Sequence, residues 1–248
     1  MTETPIIQFR DVSLRFGKHV VHQKLNFDIF AGESITILGP SGTGKTLILK
    51  MILGLIEPSS GEISVLGQNI AELTESELRK LRSQIGMLFQ GAALFDSMNV
   101  YENVAYSLRE NKEFSEAEIE AIVNEKLEII GLPGIQEKTP SQLSGGQKKR
   151  VALARALASS PKVILFDEPT TGLDPTSTRM IDDFIIKLNQ ELKITCIAVT
   201  HDIASAERFS SRWIFVSEGQ IQADGPIAQL MSSSVEVNQF VSGNWKGA

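Results

Sequence analysis

The sequence predicts an α/β fold: a parallel sheet covered by helices on both faces, with an N-terminal antiparallel β subdomain and an inserted helical subdomain. Three observations predict it. ESITIL (33–38), KVILFDE (162–168) and ITCIAVT (194–200) are short apolar runs of the length and continuity that suit strands buried on both faces. Amphipathic helical stretches separate them, and strand alternating with helix implies parallel crossovers. The first thirty residues, by contrast, read as strands joined by a turn, with no helical period.

Taken in order, IIQFRDVSL (6–14) and LNFDIF (25–30) are the early strands, with GKH (17–19) turning between them. ESITIL ends at Gly39. Lys45–Leu53 then has helical character and is stopped by Gly54 and Pro58. GEISVLGQNI (61–70) resembles a hairpin. From about residue 92 to 160 the character changes to mostly helical. Ile119, Ile122, Val123, Leu127 and Ile130 recur at helical spacing, with charges opposite and Gly131 at the end. Gln147–Ala158 is a further helix, burying Val151, Ala154 and Ala158. In TSTRMIDDFIIKLNQEL (176–192) the apolar face is Met180, Ile181, Phe184, Ile185 and Leu188, and RWIFVSEGQIQADG (212–225) forms two strands around Glu218–Gly219. The whole chain, 1–248, is expected to be a single domain. Its core is about 1–90 and 161–230, its helical subdomain about 91–160, and its C-terminal tail about 231–248.

The bulk numbers exclude several classes. A chain of 248 residues buries enough surface to need neither metal nor disulfide for stability. The single cysteine, Cys196, cannot form an internal bridge and lies in the apolar run TCIAV, where it reads as a small buried hydrophobe. A net charge of −6 and a pI of about 5.2 argue against sequence-independent nucleic-acid binding, which draws its affinity from clustered Lys and Arg. No apolar run approaches the ~20 residues of a membrane span, and MTETPIIQF lacks a signal-peptide layout. The expectation is a cytoplasmic protein that reaches a membrane only by docking on an embedded partner.

Gly39-Pro40-Ser41-Gly42-Thr43-Gly44-Lys45-Thr46 matches G-x-x-x-x-G-K-[ST] between a strand and a helix, the pattern of a P-loop. Its glycines allow successive backbone N–H groups to point at phosphate oxygens, and the following helix adds its positive end. Lys45 is placed to reach the β- and γ-phosphates, and Thr46 to offer a hydroxyl to Mg²⁺. The glycine spacing of a dinucleotide-binding turn is absent. In VILFDEPTTGLD the apolar run Val163–Phe166 presents Asp167 and Glu168 at a strand's C-terminal end, where open α/β sheets bind ligands. Asp167 fits the magnesium-side acid and Glu168 the group that polarises an attacking water. Asp174, in the turn-rich PTTGLDPTS, is a candidate contact residue. His201, just past ITCIAVT at the same sheet edge, is placed to reach the γ-phosphate. His19 and His22 receive no role.

LSGGQ (143–147) poses a further question, because Ser144 and Gln147 have capping-box spacing and open a second anion-binding helix end. No second P-loop lysine or acid accompanies it. The economical reading is that Leu143–Gln147 binds the nucleotide held by another copy of the chain, two copies sandwiching two ATPs head to tail.

Together these residues resemble the ATP-binding cassette (ABC) ATPase family over nearly the whole chain. The motifs fall in the family's order: the P-loop, Gln90, the signature Leu143–Gln147, Asp167–Glu168 and His201. The resemblance implies ATP and Mg²⁺ as ligands, the metal being held by Thr46, Gln90 and Asp167. Phe16 would then stack on adenine, and Gln90 would touch Mg²⁺ or the attacking water and sense a docked membrane partner. Glu168 would be the general base and His201 the γ-phosphate ligand. Asp174 would communicate across the dimer, and Ser144, Gly145 and Gly146 would touch ATP in trans.

The stretch Gly86–Glu110, GMLFQGAALFDSMNVYENVAYSLRE, is similar to the ATPases of Mla-type phospholipid transporters of Gram-negative envelopes, as is the terminal NQFVSGNWKG. In that group the tail reaches across to the other ATPase subunit. The implied partners are a second copy of the chain, an integral permease (MlaE-like), a STAS-domain protein (MlaB-like) and a lipid-binding MCE protein (MlaD-like). The implied location is the cytoplasmic face of the inner membrane. The alternatives are an importer of another substrate with a generic permease-docking groove, a soluble ATPase acting on nucleic acid or ribosomes, and a regulatory nucleotide switch without turnover.

Overall fold

The alternation read from the sequence becomes two stacked sheets in a computed structural model, which describes residues 4–111 and 114–245. β1 (Ile7–Phe16) and β2 (His19–Ile29) form a long hairpin, with Gly17 and Lys18 alone at the turn. β3 (Ser34–Leu38) leads through the phosphate loop into α1 (Lys45–Ile52). β4 (Ser60–Val65) and β5 (Gln68–Asn69) complete a four-stranded antiparallel sheet of order β2-β1-β4-β5. After α2 (Glu75–Arg82) and β6 (Ile85–Leu88) come the helices α3 (Val100–Asn111), α4 (Glu116–Ile129) and α5 (Gly145–Leu157). β7 (Val163–Asp167), α6 (Pro175–Gln190), β8 (Thr195–Val199), α7 (Ile203–Phe209), β9 (Arg212–Ser217) and β10 (Gln220–Pro226) follow, then α8 (Ile227–Ser233) and α9 (Val235–Val241). The second sheet has the order β10-β9-β3-β8-β7-β6 and is parallel except for β10, which pairs antiparallel with β9.

Strand side chains alternate between faces, and the two faces of this sheet feed different cores. Ile35, Ile37, Leu165, Ile197 and Val199 join α1 and the antiparallel sheet in one apolar layer. Ile164, Phe166, Cys196 and Ala198 face the other way, onto α5 and α6, and that layer runs on without a break into α3 and α4. A Cβ on Gly86 would lie 2.6 Å from the Ala156 carbonyl oxygen, so α5 packs directly on β6. The helix that carries the signature therefore spans both regions: its start lies among the inserted helices and its end lies on the sheet.

One expectation changes. On α6, Met180 is 39% exposed and Phe184 half-buried, while Asp182 is 3% exposed. The buried face is Ile181, Ile185 and Leu188, with Asp182 turned onto α7, where Oδ2 accepts from the Ser205 hydroxyl at 3.2 Å. A local hydroxyl partner makes that burial tolerable. α9 and Trp245 fold back onto their own chain, where Phe240 and Trp245 bracket Phe215 of β9 at ring separations of 5.2 and 5.3 Å. Among the described residues no helix is long and apolar enough to cross a membrane.

Candidate nucleotide site

The phosphate loop is shaped from below. Gly39 has φ 151°, and a Cβ there would come within 2.0 Å of the Val216 carbonyl oxygen, so no other residue fits. Gly44 is the N-cap of α1 in the left-handed region, φ 82°, with no side-chain cap. The free N–H groups of the first helical turn thus remain open to an anion. Lys45 lies over the loop with Nζ donating to the carbonyls of Gly39 (2.7 Å) and Pro40 (2.8 Å). Burial pushes its pKa down, against the attraction of Glu168 and Asp167. Beneath Gly44 sits His22, which the sequence reading passed over. It is 0% exposed, its Nε2 is 3.1 Å from the Gly44 carbonyl, and its Nδ1 has no partner among the described residues.

The carboxylates stand at the adjacent strand end. Thr46 Oγ1 donates to Asp167 Oδ1 at 2.7 Å, joining the start of α1 to the end of β7. Burial raises the Asp167 pKa, with the Thr46 hydrogen bond pulling it back. Glu168 has φ 51° and is held from three sides. Its Oε2 accepts from Thr171 Oγ1 (3.0 Å) and Thr200 Oγ1 (3.2 Å), and its Oε1 lies 2.9 Å from His201 Nδ1. A cleft of about 400 Å³ brings Lys45, Thr46, Gln90, Glu168 and His201 together with Ser41, Gly42 and Gly44. Pro40 and Thr43 belong to the loop itself, Thr43 Oγ1 donating to the Pro40 carbonyl at 2.9 Å.

Among the described residues no group of three or more His, Cys, Asp or Glu gathers as a metal site. The oxygens of Thr46, Asp167 and Gln90 nevertheless suit Mg²⁺, a hard cation that takes one or two protein ligands and completes its shell with phosphate and water. The donor set fits.

The signature lies elsewhere. None of Leu143–Gln147 lines the cleft. Ser144 caps α5 in a complete capping box: its Oγ accepts from the Gln147 N–H (3.3 Å), and Gln147 Oε1 accepts from the Ser144 N–H (3.0 Å). Leu143 is buried. The neighbours of the two glycines come from the loop after Glu168 and from the first turn of α6. Positions 145 and 146 abut Leu173 and Ser177, and Asp174 caps α6 by accepting from the N–H groups of Thr176 and Ser177 and the Ser177 hydroxyl. Phe16 stands at the hairpin tip, 52% exposed.

An uncapped helix start above a glycine-shaped loop, facing two strand-end carboxylates on a parallel sheet, defines a P-loop nucleoside triphosphatase. The ABC transporter family matches residues 22–171, well over half of the chain. The chain belongs to that family and is one of its ATPases. It is 40% identical over 243 residues to the intermembrane phospholipid transport system ATP-binding protein MlaF of Haemophilus influenzae, covering 98% of this chain and 92% of that protein. It is 38% identical to MlaF of Escherichia coli, covering 96% of this chain and 89% of that protein. The probable ribonucleotide transport ATP-binding protein mkl of Mycobacterium leprae is also 40% identical, over 96% of this chain and 69% of its own longer one. Among solved structures, the dimeric ATP-binding cassette MJ0796 in a post-hydrolysis state bound to ADP and Pi superposes with a TM-score of 0.82. It shares 34% identity, covering 89% of this chain and 98% of that one. The cbiO1 subunit of Clostridium perfringens gives 0.85 at 31% identity, covering 96% of each.

Proposed function

We propose that the chain is the Mg²⁺-dependent ATPase subunit of an envelope phospholipid transporter and works as a homodimer on the cytoplasmic face of the inner membrane. The observation that carries the dimer is the separation of two anion-binding helix starts within one chain, only the first of which opens into the cleft with Glu168. A second copy placed head to tail lays its Ser144, Gly145 and Gly146 over the nucleotide of the first. The dimeric MJ0796 cassette with ADP and Pi supports that arrangement.

In the closed dimer Phe16 stacks on adenine, and the N–H groups of the loop with Lys45 hold the phosphates. Mg²⁺, when bound through Thr46, Asp167 and Gln90, neutralises phosphate charge. Glu168 takes a proton from water as the water oxygen bonds to the γ-phosphorus and the bond to the β-phosphate oxygen breaks, releasing ADP and phosphate. His201 orients Glu168 through Nδ1 and leaves Nε2 for the γ-phosphate. Asp174, at the junction with the signature helix, conveys closure across the dimer. The core segments (1–90, 161–230) carry the nucleotide, and the helical segment (91–160) swings the signature onto it.

Docking on an MlaE-like permease is supported by a groove of about 580 Å³ lined partly by the distinctive 86–110 stretch and partly by residues of α2 and the end of α5. Phe89, Phe95 and Tyr106 are exposed there beside Arg79, Arg82 and Arg155. Near-full-length similarity to MlaF supports phospholipid as cargo and STAS-type and MCE-type proteins as further partners. The equal similarity to mkl proteins keeps ribonucleotide transport as the second reading. The deciding experiment purifies the full chain with its membrane partner in proteoliposomes and measures ATP-dependent transfer of labelled phospholipid. Transfer is expected to stop in Tyr106→Glu, while nucleotide binding persists. Ribonucleotide uptake without lipid transfer would replace the cargo, and failure to co-purify with any membrane protein would remove the transporter reading.

A further inference from the structure

Lys149 lies on α5, two residues past the signature, and is 5% exposed. Among the described residues no carboxylate side chain is bonded to its ammonium. Nζ instead donates to three backbone carbonyls of one loop: Glu168 (3.1 Å), Pro169 (2.7 Å) and Thr171 (3.0 Å). Three donors meet three acceptors, which exhausts the hydrogen-bonding capacity of an ammonium. Burial pushes the group down to about 8, with the attraction of Glu168 working against it. A lysine held this way is costly, and what it holds is informative. The carbonyls belong to the residue proposed as the general base and to the turn that leads from it to Asp174. Glu168 itself sits at φ 51°, a left-handed conformation that a non-glycine residue keeps only when its surroundings enforce it.

We propose that Lys149 is the positioning residue of the Glu168 carboxylate: it clamps the backbone on which that side chain stands and fixes the turn as one body with the signature helix. Its own proximity to the signature gives the clamp a second consequence. Gly146 abuts Ser177, in the first turn of α6 just beyond the end of that loop. Movement of Ser144–Gln147 onto the partner's nucleotide is therefore transmitted through Lys149 to the chain's own base. The first half of the inference concerns one chain only; the transmission rests on the dimer reading.

The test uses the full chain with its permease. Lys149→Met keeps the aliphatic stem and removes every donor; Lys149→Arg restores charge and donors. In the Lys149→Met protein kcat for ATP is expected to fall at least about tenfold, with KM and the affinity for a fluorescent ATP analogue within about twofold; the Arg variant recovers part of kcat. In a Glu168→Gln background Lys149→Met should cost nothing further, because two residues acting through one group are not additive. An unchanged kcat in Lys149→Met overturns the proposal. So does a parallel loss of ATP affinity, thermal stability and kcat in both variants, since Lys149 would then only hold the fold together. Independent, multiplying losses with Glu168→Gln would overturn it as well. Ser144→Arg separates the dimer reading: full activity there removes the transmission and leaves the clamp to stand or fall on the Lys149 data.

Discussion

Two helices in this molecule begin on glycines and could hold an anion, yet they are finished differently. α1 starts at a left-handed Gly44 with no side-chain cap, and its first turn is open. α5 starts at Ser144 with a reciprocal capping box that already satisfies two N–H groups. The open end is pinned on every side: Val216 closes on Gly39, His22 on Gly44, and Asp167 on Thr46. The capped end is stable alone and faces outward. An open end must find a ligand to be satisfied, whereas a capped end can wait, unchanged, for a nucleotide carried by another molecule. This difference is what allows one chain to contain both halves of a site that it does not complete.

The comparison breaks first at the open end. Glu168→Gln is expected to lower turnover about 10³-fold, the scale of a lost general base, while ATP still binds and holds the dimer closed. Phosphate release and size-exclusion chromatography with ATP measure the two effects, and near-normal turnover would displace Glu168 from its role. Ser144→Arg acts at the capped end. Turnover should drop about 10²-fold, the scale of one lost oxyanion donor, with nucleotide affinity of the single chain unchanged. A loss of affinity instead would mean that the signature serves its own chain's nucleotide. Lys45→Ala returns to the open end and should weaken ATP binding about thirtyfold, as expected for a charged hydrogen-bonding group worth roughly 2 kcal/mol. Equilibrium titration with a fluorescent analogue checks it, and an unaltered affinity would discredit the phosphate loop.

Much of this was legible because it is local. The P-loop spacing, the capping box at 144–147 and the apolar runs of β3, β7 and β8 are written in contiguous residues, and each folded where its pattern directed. What escaped has partners far along the chain. His22 meets Gly44 across 22 residues, and Lys149 meets the Glu168–Thr171 carbonyls across about twenty. Neither leaves a periodic or spaced signature, because a backbone carbonyl has no sequence identity. The α6 face failed for a related reason. Apolar spacing placed Met180 inward, but Ser205 of α7 gives Asp182 a buried partner, so a carboxyl turns in and the thioether turns out. The seat of Phe240 and Trp245 was hidden too, because it rests on Phe215, an interior strand residue whose aromatic neighbours only the fold supplies.

The smallest expected effect concerns the support under the open end. His22→Phe removes the contact to Gly44 and the unpartnered Nδ1 together. The Gly44 carbonyl keeps its bond from the Leu47 N–H at 2.8 Å, so nothing new is left unsatisfied. ATP affinity is expected to fall about fivefold, the worth of one hydrogen bond of ~1 kcal/mol. Thermal stability at pH 7.5 should hold or rise. The pH dependence has a definite sign. Burial depresses the His22 pKa below 6.5, partly opposed by the Gly44 carbonyl, so below that pH the unfolded chain takes up a proton that the folded chain resists. The parent therefore loses stability as pH falls below about 6.5 and on through the folded-state pKa, and the variant lacks this component. Comparing the two melting temperatures at pH 7.5 and 5.5 should show the variant gaining on the parent at the lower pH. If affinity were unchanged and the two proteins melted in parallel, Gly44 would be shaped by α1 alone. The contrast between the two helix starts would then reduce to the presence or absence of a side-chain cap.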